Sequence, residues 1–254
     1  MDTRTKPVVR QFTATASDFL ISIRGSDSFG LLKYRCLKYF RSHGVKAMAY
    51  HHFPQFGAFE ESPSINVISV GFPASFNREY EEQAQYRVDP SIRQVMKSTK
   101  ANWWTKTDYS SGLRAEERAF LEAARKEVAG HGLILPVFGP LGRTGFVSLG
   151  FGHDDIGVGD AELALIQSCC QAAHLQYCEL LQAGLPQTVR LSRREQEVMA
   201  WVARGKSNGV IAEILGLTEN TVITHLRRSY QKLGVHDRVT AALRALSVGE
   251  LPRH

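Results

Sequence analysis

Residues 191–238 read LSRREQEVMAWVARGKSNGVIAEILGLTENTVITHLRRSYQKLGVHDR, and these residues specify the helices of the C-terminal part of the chain. Ser192 and Glu195 form the S-x-x-E pattern of a capping box, in which each side chain bonds the other residue's backbone N–H. Glycines mark the expected helix ends, because glycine tolerates the left-handed backbone found there. They are Gly205, Gly216 and Gly234.

The spacing predicts four helices, the second and third of which form a helix-turn-helix. The first runs from its Ser192 cap to about Arg204, and Ser207 caps the second. Thr218 caps a longer third helix over Glu219–Leu233, and a short fourth follows around Val239–Leu246. Two helices joined by a tight turn, the later one longer, are typical of helix-turn-helix proteins.

Periodicity separates two faces of the third helix. One stripe is predicted to be buried: Val222, Leu226, Ser229, Tyr230 and Leu233. The opposite stripe is short, polar and cationic: Asn220, Ile223, Thr224, Arg227 and Gln231. Asparagine can read an adenine edge, arginine a guanine, and threonine or isoleucine a thymine methyl group. This stripe therefore predicts either a base-reading face or, on charge alone, a solvated surface.

Basic side chains around the third helix are candidates for phosphate contacts, which position a protein without reading sequence. They are Arg193, Arg194, Lys206, Arg228 and Lys232. From Gln187 onward the chain has eleven Lys and Arg against six Asp and Glu, whereas the first 186 residues have twenty and nineteen. This uneven charge favours double-stranded DNA as the partner of the C-terminal part.

The ordered pattern of residues 191–238 resembles the LuxR-type DNA-binding domain. The resemblance implies a four-helix module whose third helix enters the major groove, usually as a homodimer on an inverted-repeat operator. One position departs from the family pattern. Ile223 stands directly after the T-V pair, where the family commonly has Lys or Arg, and one charged groove contact is therefore missing.

The front part of the chain is rich in aromatic residues, which can build an apolar ligand pocket. Of 24 Phe, Trp and Tyr residues, only Trp201 and Tyr230 lie beyond residue 186. Strands are predicted at Val45–Phe53, Ile65–Val70, Gly132–Phe138 and Gly145–Phe151, the last two joined as a hairpin. Helices are predicted at about residues 31–43, Arg78–Tyr86, Ser91–Ser98, Ala115–Ala129 and Asp160–Ala183.

These elements predict an α+β protein of two domains. The first is an α/β/α sandwich around an antiparallel sheet, and the second is an all-α four-helix helix-turn-helix domain. We expect an N-terminal arm at 1–16, a small-molecule-binding domain at 17–183, a linker at 184–190 and a DNA-binding domain at 191–254. The linker is expected because Gly184 and Pro186 interrupt the preceding helix.

The segment from Gly71 to Trp104 resembles the autoinducer-binding domain of LuxR-family quorum-sensing regulators. The family pattern is Y-P-x-x-W-x-x-x-Y, then D-P, then W. The resemblance places Tyr80, Asp89 and Trp104 at ligand-pocket positions, with Phe72 in place of a common Tyr. It also places Ser148 on a strand position that often bonds the amide region of the ligand.

The chemistry of these residues suits an N-acyl-homoserine lactone, which offers one amide N–H, two carbonyls and an apolar tail. Asp89 can accept the N–H, and Tyr80 or Ser148 can donate to the acyl carbonyl. Trp104 and Phe120 can wall the ring and the tail. Alternatively, the aromatic residues are ordinary core residues, and Asp89 is a turn residue before Pro90.

Phe76 leaves the ligand open, because it replaces a family Trp whose indole N–H contacts the lactone carbonyl. Another donor or a water compensates, the ligand is not a homoserine lactone, or no ligand is needed. The main interpretation is a bacterial, quorum-sensing-type transcriptional activator. The alternatives are a solo regulator that is ligand-independent or binds a non-lactone, and, outside this class, a small-molecule-binding or lactone-hydrolysing protein.

Other classes are excluded or disfavoured. No apolar run reaches the roughly 18–20 residues of a membrane span, and no signal-peptide pattern is present, so we expect a cytoplasmic protein with no membrane partner. No catalytic motif is found, and we expect neither an enzyme nor a cofactor or metal. Cys170, His174 and Cys178 recur along one helix face and indicate either a metal or redox switch or, as we favour, simple packing.

Overall fold

The computed structural model describes residues 16–60, 66–95, 97–104, 112–127, 130–152, 158–185 and 190–251. The chain divides into two compact units. The first unit is built from the chain up to Phe53 and from residues 62–182, and the second from Pro54–Glu61 and the chain from Ala183 onward. The expected N-terminal arm (apart from its last residue) and most of the expected linker lie outside the described residues.

The first unit contains a five-stranded sheet whose neighbouring strands are all antiparallel, as predicted. The strands follow the order β2-β1-β5-β4-β3. They are β1 (Ala47–Phe53), β2 (Asn66–Val70), β3 (Asn102–Trp103), β4 (Gly132–Phe138) and β5 (Thr144–Gly150). The predicted hairpin joins β4 to β5 through a single 3-10 turn, in which Leu141 and Gly142 have positive φ.

Helices cover both faces of this sheet. They are α1 (residues 16–24), α2 (Phe29–Ser42), α3 (Ala74–Glu82), α4 (Pro90–Val95), α5 (Ala115–Glu127) and α6 (Asp160–Gly184). Side chains of α1, α2 and α6 share one core cluster with the sheet, and residues of α4 pack against the opposite sheet face. The α/β/α arrangement is therefore confirmed.

Helix α3 begins and ends earlier than the predicted Arg78–Tyr86. Proline suits the first turn of a helix because it needs no intrahelical N–H partner there, and the Pro73 carbonyl accepts a hydrogen bond from Asn77 N at 3.1 Å. The helix cannot continue beyond Ala84, which has a left-handed φ of 50°. A separate 3-10 turn at Gln85–Arg87 follows.

The two faces of the sheet differ in packing. Met48 and Tyr50 of β1 face the core shared with α2 and α6, together with Val147 and Leu149 of the neighbouring β5. Successive side chains of a strand point to opposite faces. The intervening residues of both strands therefore face α3 and α5 across a cavity.

The interior of the first unit contains Cys170, His174 and Cys178, as the packing interpretation predicts. All three are buried, and the Tyr50 hydroxyl lies 2.7 Å from His174 Nδ1. Within the described ranges no group of three or more His, Cys, Asp or Glu residues could hold a metal ion. All four cysteines are buried and none forms a disulfide bond, and burial raises the pKa of Cys36 to about 12.

The second unit contains the four predicted helices. They are α7 (Arg193–Ala203), α8 (Asn208–Leu215), α9 (Glu219–Leu233) and α10 (Arg238–Ser247). The capping box is present, since the Ser192 hydroxyl accepts from Glu195 N and the Glu195 carboxylate accepts from Ser192 N at 2.7 Å. Ser207 and Thr218 cap α8 and α9 as predicted.

The buried carboxylate of Glu195 also joins two helices of this unit. The Lys232 ammonium near the end of α9 donates to Glu195 Oε2 at 2.6 Å. Burial would raise the pKa of Glu195, but hydrogen bonds from Lys232 and Ser192 outweigh it and lower the pKa. Across the described part of the chain, no helix is both long and apolar enough to cross a membrane.

We expect the first unit to lose stability as the pH falls from 7 to 5. Burial lowers the pKa of His51 to about 3 and the pKa of His52 and His174 to about 4. Each stays neutral in the folded chain but takes up a proton on unfolding once the pH is below about 6.5. The free energy of unfolding should then fall by up to about 1.4 kcal/mol per pH unit for each histidine.

Urea titrations at pH 7, 6 and 5 measure this effect. In a Trp201→Phe background the fluorescence reports on Trp103 and Trp104, which both lie in the first unit. His51→Gln should remove about a third of the pH dependence, because one of three proton-binding groups is lost. A free energy of unfolding that does not change between pH 7 and 5 would contradict the assignment of buried neutral histidines.

Candidate functional site

A cavity of about 370 Å³ lies on the face of the sheet that α3 and α5 cover. This volume is within the range of small-molecule sites. All seven residues singled out in the sequence for ligand binding line this one cavity: Phe72, Phe76, Tyr80, Asp89, Trp104, Phe120 and Ser148. The fold therefore brings together residues that are up to 76 positions apart in the chain.

Asp89 is the acidic centre of the cavity. Its Oδ2 accepts a hydrogen bond from the Tyr80 hydroxyl at 2.9 Å, and its Oδ1 accepts one from Ser91 N at 2.8 Å. Burial raises the pKa of Asp89, while the bonds from Ser91 and Tyr80 oppose the rise. Burial, and then the charge of Asp89, raise the pKa of Tyr80, which therefore remains a hydrogen-bond donor.

Aromatic rings form much of the cavity wall. Phe76 of α3 lies between Phe72 and Tyr80, with ring centroids 6.1 and 5.9 Å away. Phe120 of α5 lies 6.1 Å from the Tyr80 ring, and Trp104 lies 6.5 Å from the Phe72 ring. Such surfaces favour a ligand with large apolar parts.

Trp104 is held in place by glycine residues beneath it. Its Nε1 donates to the Gly130 carbonyl at 3.1 Å. The indole covers the cross-strand pair Gly132 and Gly150, and a Cβ atom added at Gly132 would overlap the ring. The absence of side chains at this pair therefore sets the position of the largest cavity residue.

Four polar cavity residues were missed in the sequence: His51, Ser69, Asn77 and Ser91. The Ser69 hydroxyl donates to Asn77 Oδ1 at 2.8 Å. Asn77 Nδ2 has no hydrogen-bond partner among the described residues. Alternation along β1 and β2 could have placed His51 and Ser69 on one sheet face, but only the strand register shows that this face is the cavity side.

Helix α9 of the second unit presents the predicted outer stripe. Asn220, Thr224, Arg227 and Gln231 are exposed and Ile223 is half-buried, while Val222, Leu226, Ser229 and Leu233 are buried. Tyr230, predicted to be buried, is half-buried. The Thr224 hydroxyl donates to the Asn220 carbonyl at 2.9 Å, so its methyl group is the part left for an apolar base contact.

The basic residues around α9 differ in their bonding. Arg193 and Arg194 pair with Glu197 at 3.3 and 2.7 Å on the surface of α7, and such exposed pairs are weak enough to exchange for phosphate. Lys232 instead forms an ion pair with the buried Glu195, so its ammonium group is not available for a phosphate contact while that pair is formed. The side chains of Lys206 and Arg228 are exposed and have no partner among the described residues.

Two protein-family models match the sequence. Residues 32–177 match the autoinducer binding domain, and residues 189–245 match the bacterial regulatory proteins of the luxR family. The first match alone spans more than half of the chain. This chain belongs to the LuxR family of quorum-sensing transcriptional regulators.

Individual proteins agree with this assignment. The LuxR-family chain is 29% identical over 189 residues to the transcriptional activator AnoR of Acinetobacter nosocomialis, covering 73% of this chain and 78% of AnoR. It is 28% identical over 180 residues to the transcriptional activator BjaR1 of Bradyrhizobium diazoefficiens, covering 71% and 74%. Since the chain belongs to a family of transcriptional regulators, the expectation of a non-enzymatic regulator is confirmed, against the hydrolase alternative.

Solved structures share the two-domain fold of this LuxR-family regulator. SdiA of Escherichia coli superimposes with a TM-score of 0.74 at 18% identity, over 95% of this chain and 100% of that chain. SdiA in complex with octanoyl-rac-glycerol gives a TM-score of 0.74 at 19% identity over the whole of both chains. At these identities the comparison shows the fold alone.

We expect Gly132→Ala to displace Trp104 and weaken ligand binding by the regulator. The added Cβ overlaps the indole, and overpacking of this kind typically costs about 1–3 kcal/mol. Near-ultraviolet circular dichroism reports the ring movement, and titration with the best-binding acyl-homoserine lactone reports the loss of affinity.

Gly30→Ala is the matched control, because a Cβ at this exposed position of α2 meets no atom within 4 Å. It should leave both signals unchanged. Unaltered aromatic dichroism and unaltered affinity in Gly132→Ala would show that Trp104 does not depend on this glycine.

Proposed function

We propose that the cavity binds an uncharged small signal of the N-acyl-homoserine lactone class, and that the bound signal controls transcription through α9. The observation that carries the ligand class is the half-buried Asp89, whose two oxygens each accept one hydrogen bond within aromatic walls. Each carboxylate oxygen can accept a further bond. An amide N–H is a neutral donor suited to this position.

The charge of the cavity supports an uncharged ligand. Asp89 is the acidic residue among the described lining residues, and these include no Lys or Arg. A ligand carboxylate or phosphate would therefore enter a buried site with an acid and no cation, which is strongly unfavourable. When a ligand carbonyl arrives, Tyr80 can donate to it by giving up its bond to Asp89, whereas the Ser148 hydroxyl has no competing partner among the described residues.

Asn77 is a candidate donor for the carbonyl that the family Trp would contact. It adjoins Phe76 on α3, and its Oδ1 is held by Ser69. This arrangement leaves the two Nδ2 hydrogens for a ligand. A lactone can therefore be bound with one side-chain amide replacing the missing indole N–H.

The second candidate ligand is an acylated molecule without a lactone ring. Phe76 favours it, because phenylalanine cannot donate a hydrogen bond to a ring carbonyl. The SdiA complex with octanoyl-rac-glycerol contains such a molecule in a protein of the same fold. A solo regulator that responds to a non-lactone is the corresponding alternative function.

For the DNA-binding part we propose a homodimer on an inverted-repeat operator, with α9 in the major groove. Asn220, Ile223, Thr224, Arg227 and Gln231 would face base edges, and two-fold dimers match half-sites about one helical turn apart. Ligand binding at residues 17–183 would bias dimerisation or folding and so set how two modules at 191–254 meet DNA across the linker 184–190. We further propose a cytoplasmic activator.

We expect Phe76→Trp to strengthen the response to acyl-homoserine lactones. An indole N–H aimed at the ring carbonyl should add one hydrogen bond, worth about 0.5–1.5 kcal/mol. Thermal unfolding in the presence of a lactone panel measures the gain in affinity, since a ligand at 100 times its Kd stabilises the folded protein by about 2.7 kcal/mol.

Phe76→Leu serves as a control that changes the cavity volume without adding a hydrogen-bond donor. N-acyl cyclopentylamides serve as control ligands, because their ring has no carbonyl group. The gain should be confined to Phe76→Trp and to ligands that carry the carbonyl. Equal stabilisation of the wild type and Phe76→Trp by every lactone would argue against a lactone at this position.

We expect Lys206→Ala to weaken DNA binding and Lys232→Ala to lower the stability of the second unit. Lys206 is free to contact phosphate, so its loss should reduce the slope of log K against log salt by about 1. Lys232 holds a buried carboxylate, so its loss should destabilise the second unit by about 1–3 kcal/mol.

Fluorescence anisotropy of the full chain with a mixed-sequence duplex between 50 and 300 mM salt measures the slope, and thermal unfolding measures stability. Glu213→Gln, an exposed change on α8, raises the net charge by one and so tests whether net charge alone changes the slope. Salt-independent binding, or no binding by the wild type at any salt concentration, would remove the DNA-binding interpretation.

A further inference from the structure

His51 is a polar residue in an otherwise apolar part of the cavity. It lies on β1 between Val67 of β2 and Phe146 of β5, its register partners on either side. Its ring stacks on Phe146 with centroids 4.0 Å apart and planes 11° apart, and meets the Tyr80 ring edge-on at 5.6 Å. These contacts fix the imidazole at the cavity wall.

The imidazole is neutral and incompletely bonded. The side chain is buried, and burial lowers the pKa of His51 to about 3. A neutral imidazole carries one N–H donor and one acceptor nitrogen. Within the described residues neither ring nitrogen has a hydrogen-bond partner, and such groups are costly to leave unpaired. Nδ1 is enclosed by protein atoms, so Nε2 is the nitrogen that a ligand in the cavity can meet.

The neighbouring His52 also has a buried nitrogen, Nε2, without a partner among the described residues, but its other ring nitrogen is bonded. His52 points to the opposite face, where Tyr50 Oη lies 3.4 Å from its Nδ1 and the His174 ring lies nearby. His51 has no such network on the cavity side. A hydrocarbon tail passing His51 would leave it without a polar partner, whereas an oxygen atom on the tail would supply one.

We propose that His51 is a specificity-determining residue that hydrogen-bonds an oxygen substituent on the ligand's acyl chain. The inference rests on the proposed function, in which Asp89 accepts from the amide N–H and Tyr80 or Ser148 donates to the acyl carbonyl. Because His51 packs against the Tyr80 ring, the chain atoms that follow the acyl carbonyl pass beside it. The preferred ligands are therefore acyl chains with an oxo or hydroxyl group close to the amide.

Isothermal titration calorimetry of the full chain tests the proposal with three probes of one chain length. They are N-hexanoyl-, N-(3-oxohexanoyl)- and N-(3-hydroxyhexanoyl)-homoserine lactone. We expect the wild type to bind an oxygenated probe about fivefold to tenfold more tightly than the plain one. His51→Leu, which fills similar space without a polar atom, should remove this ratio and leave the plain probe bound at least as well.

His51→Asn keeps one donor and one acceptor side and should retain part of the preference. Ile134→Val, on the same cavity wall, removes a methyl group and should change the affinity for all three probes by a similar factor. Circular dichroism confirms that each variant is folded, so a lost ratio is not lost structure.

The outcomes separate the two levels of inference. Binding of all three probes to the wild type with equal affinity would overturn the role of His51 and leave the lactone cavity standing. Retention of the full preference in His51→Leu would do the same. Failure of all three probes to bind would overturn the proposed ligand class and the role of His51 with it.

Discussion

A β-strand can send only alternate side chains to each of its faces, and the central strands β1 and β5 divide the first unit on this basis. One set of residues, including Met48, Val147 and Leu149, closes a core with α2 and α6. The other set, including Ala49, His51 and Ser148, borders the cavity under α3 and α5. A shift of one residue in register would exchange the two sets, so the ligand site depends on the same pairing that forms the core.

The two faces differ in how far their polar groups are paired, although His52 Nε2 on the core side also lacks a partner among the described residues. On the core side, Tyr50 and His174 bond each other, and the His174 ring also lies 3.3 Å from the Arg143 carbonyl. On the cavity side, Ser148 Oγ and Asn77 Nδ2 lack hydrogen-bond partners within the described residues. Polar groups that already have hydrogen-bond partners in the empty protein add little to the binding free energy of a ligand. Unpaired groups add more, because the ligand supplies the missing hydrogen bonds. The cavity side therefore has the polarity of a binding site.

Local signals were sufficient to predict the second unit, because each helix carries its own cap and its own stop within a few residues. Six of the seven cavity residues followed from a family pattern and Phe120 from its aromatic character, and their convergence could not be derived from spacing alone. His51 and Ser69 were missed because their facing depends on strand register, which is a non-local property. The bond between Lys232 and Glu195 joins residues 37 positions apart, so local patterns could not predict it. The end of the α3 region could not be predicted either, because its left-handed residue is Ala84 and not a glycine.

The glycine pair beneath Trp104 bears on how ligand preference can change in this family member. The indole is the largest group at the cavity, yet its position is determined by Gly132 and Gly150, which lie behind it on neighbouring strands. A mutant library restricted to the side chains that face the ligand would not sample these positions. A change of ligand size preference can thus begin with a glycine-to-alanine substitution behind the indole, before any residue that contacts the ligand is replaced.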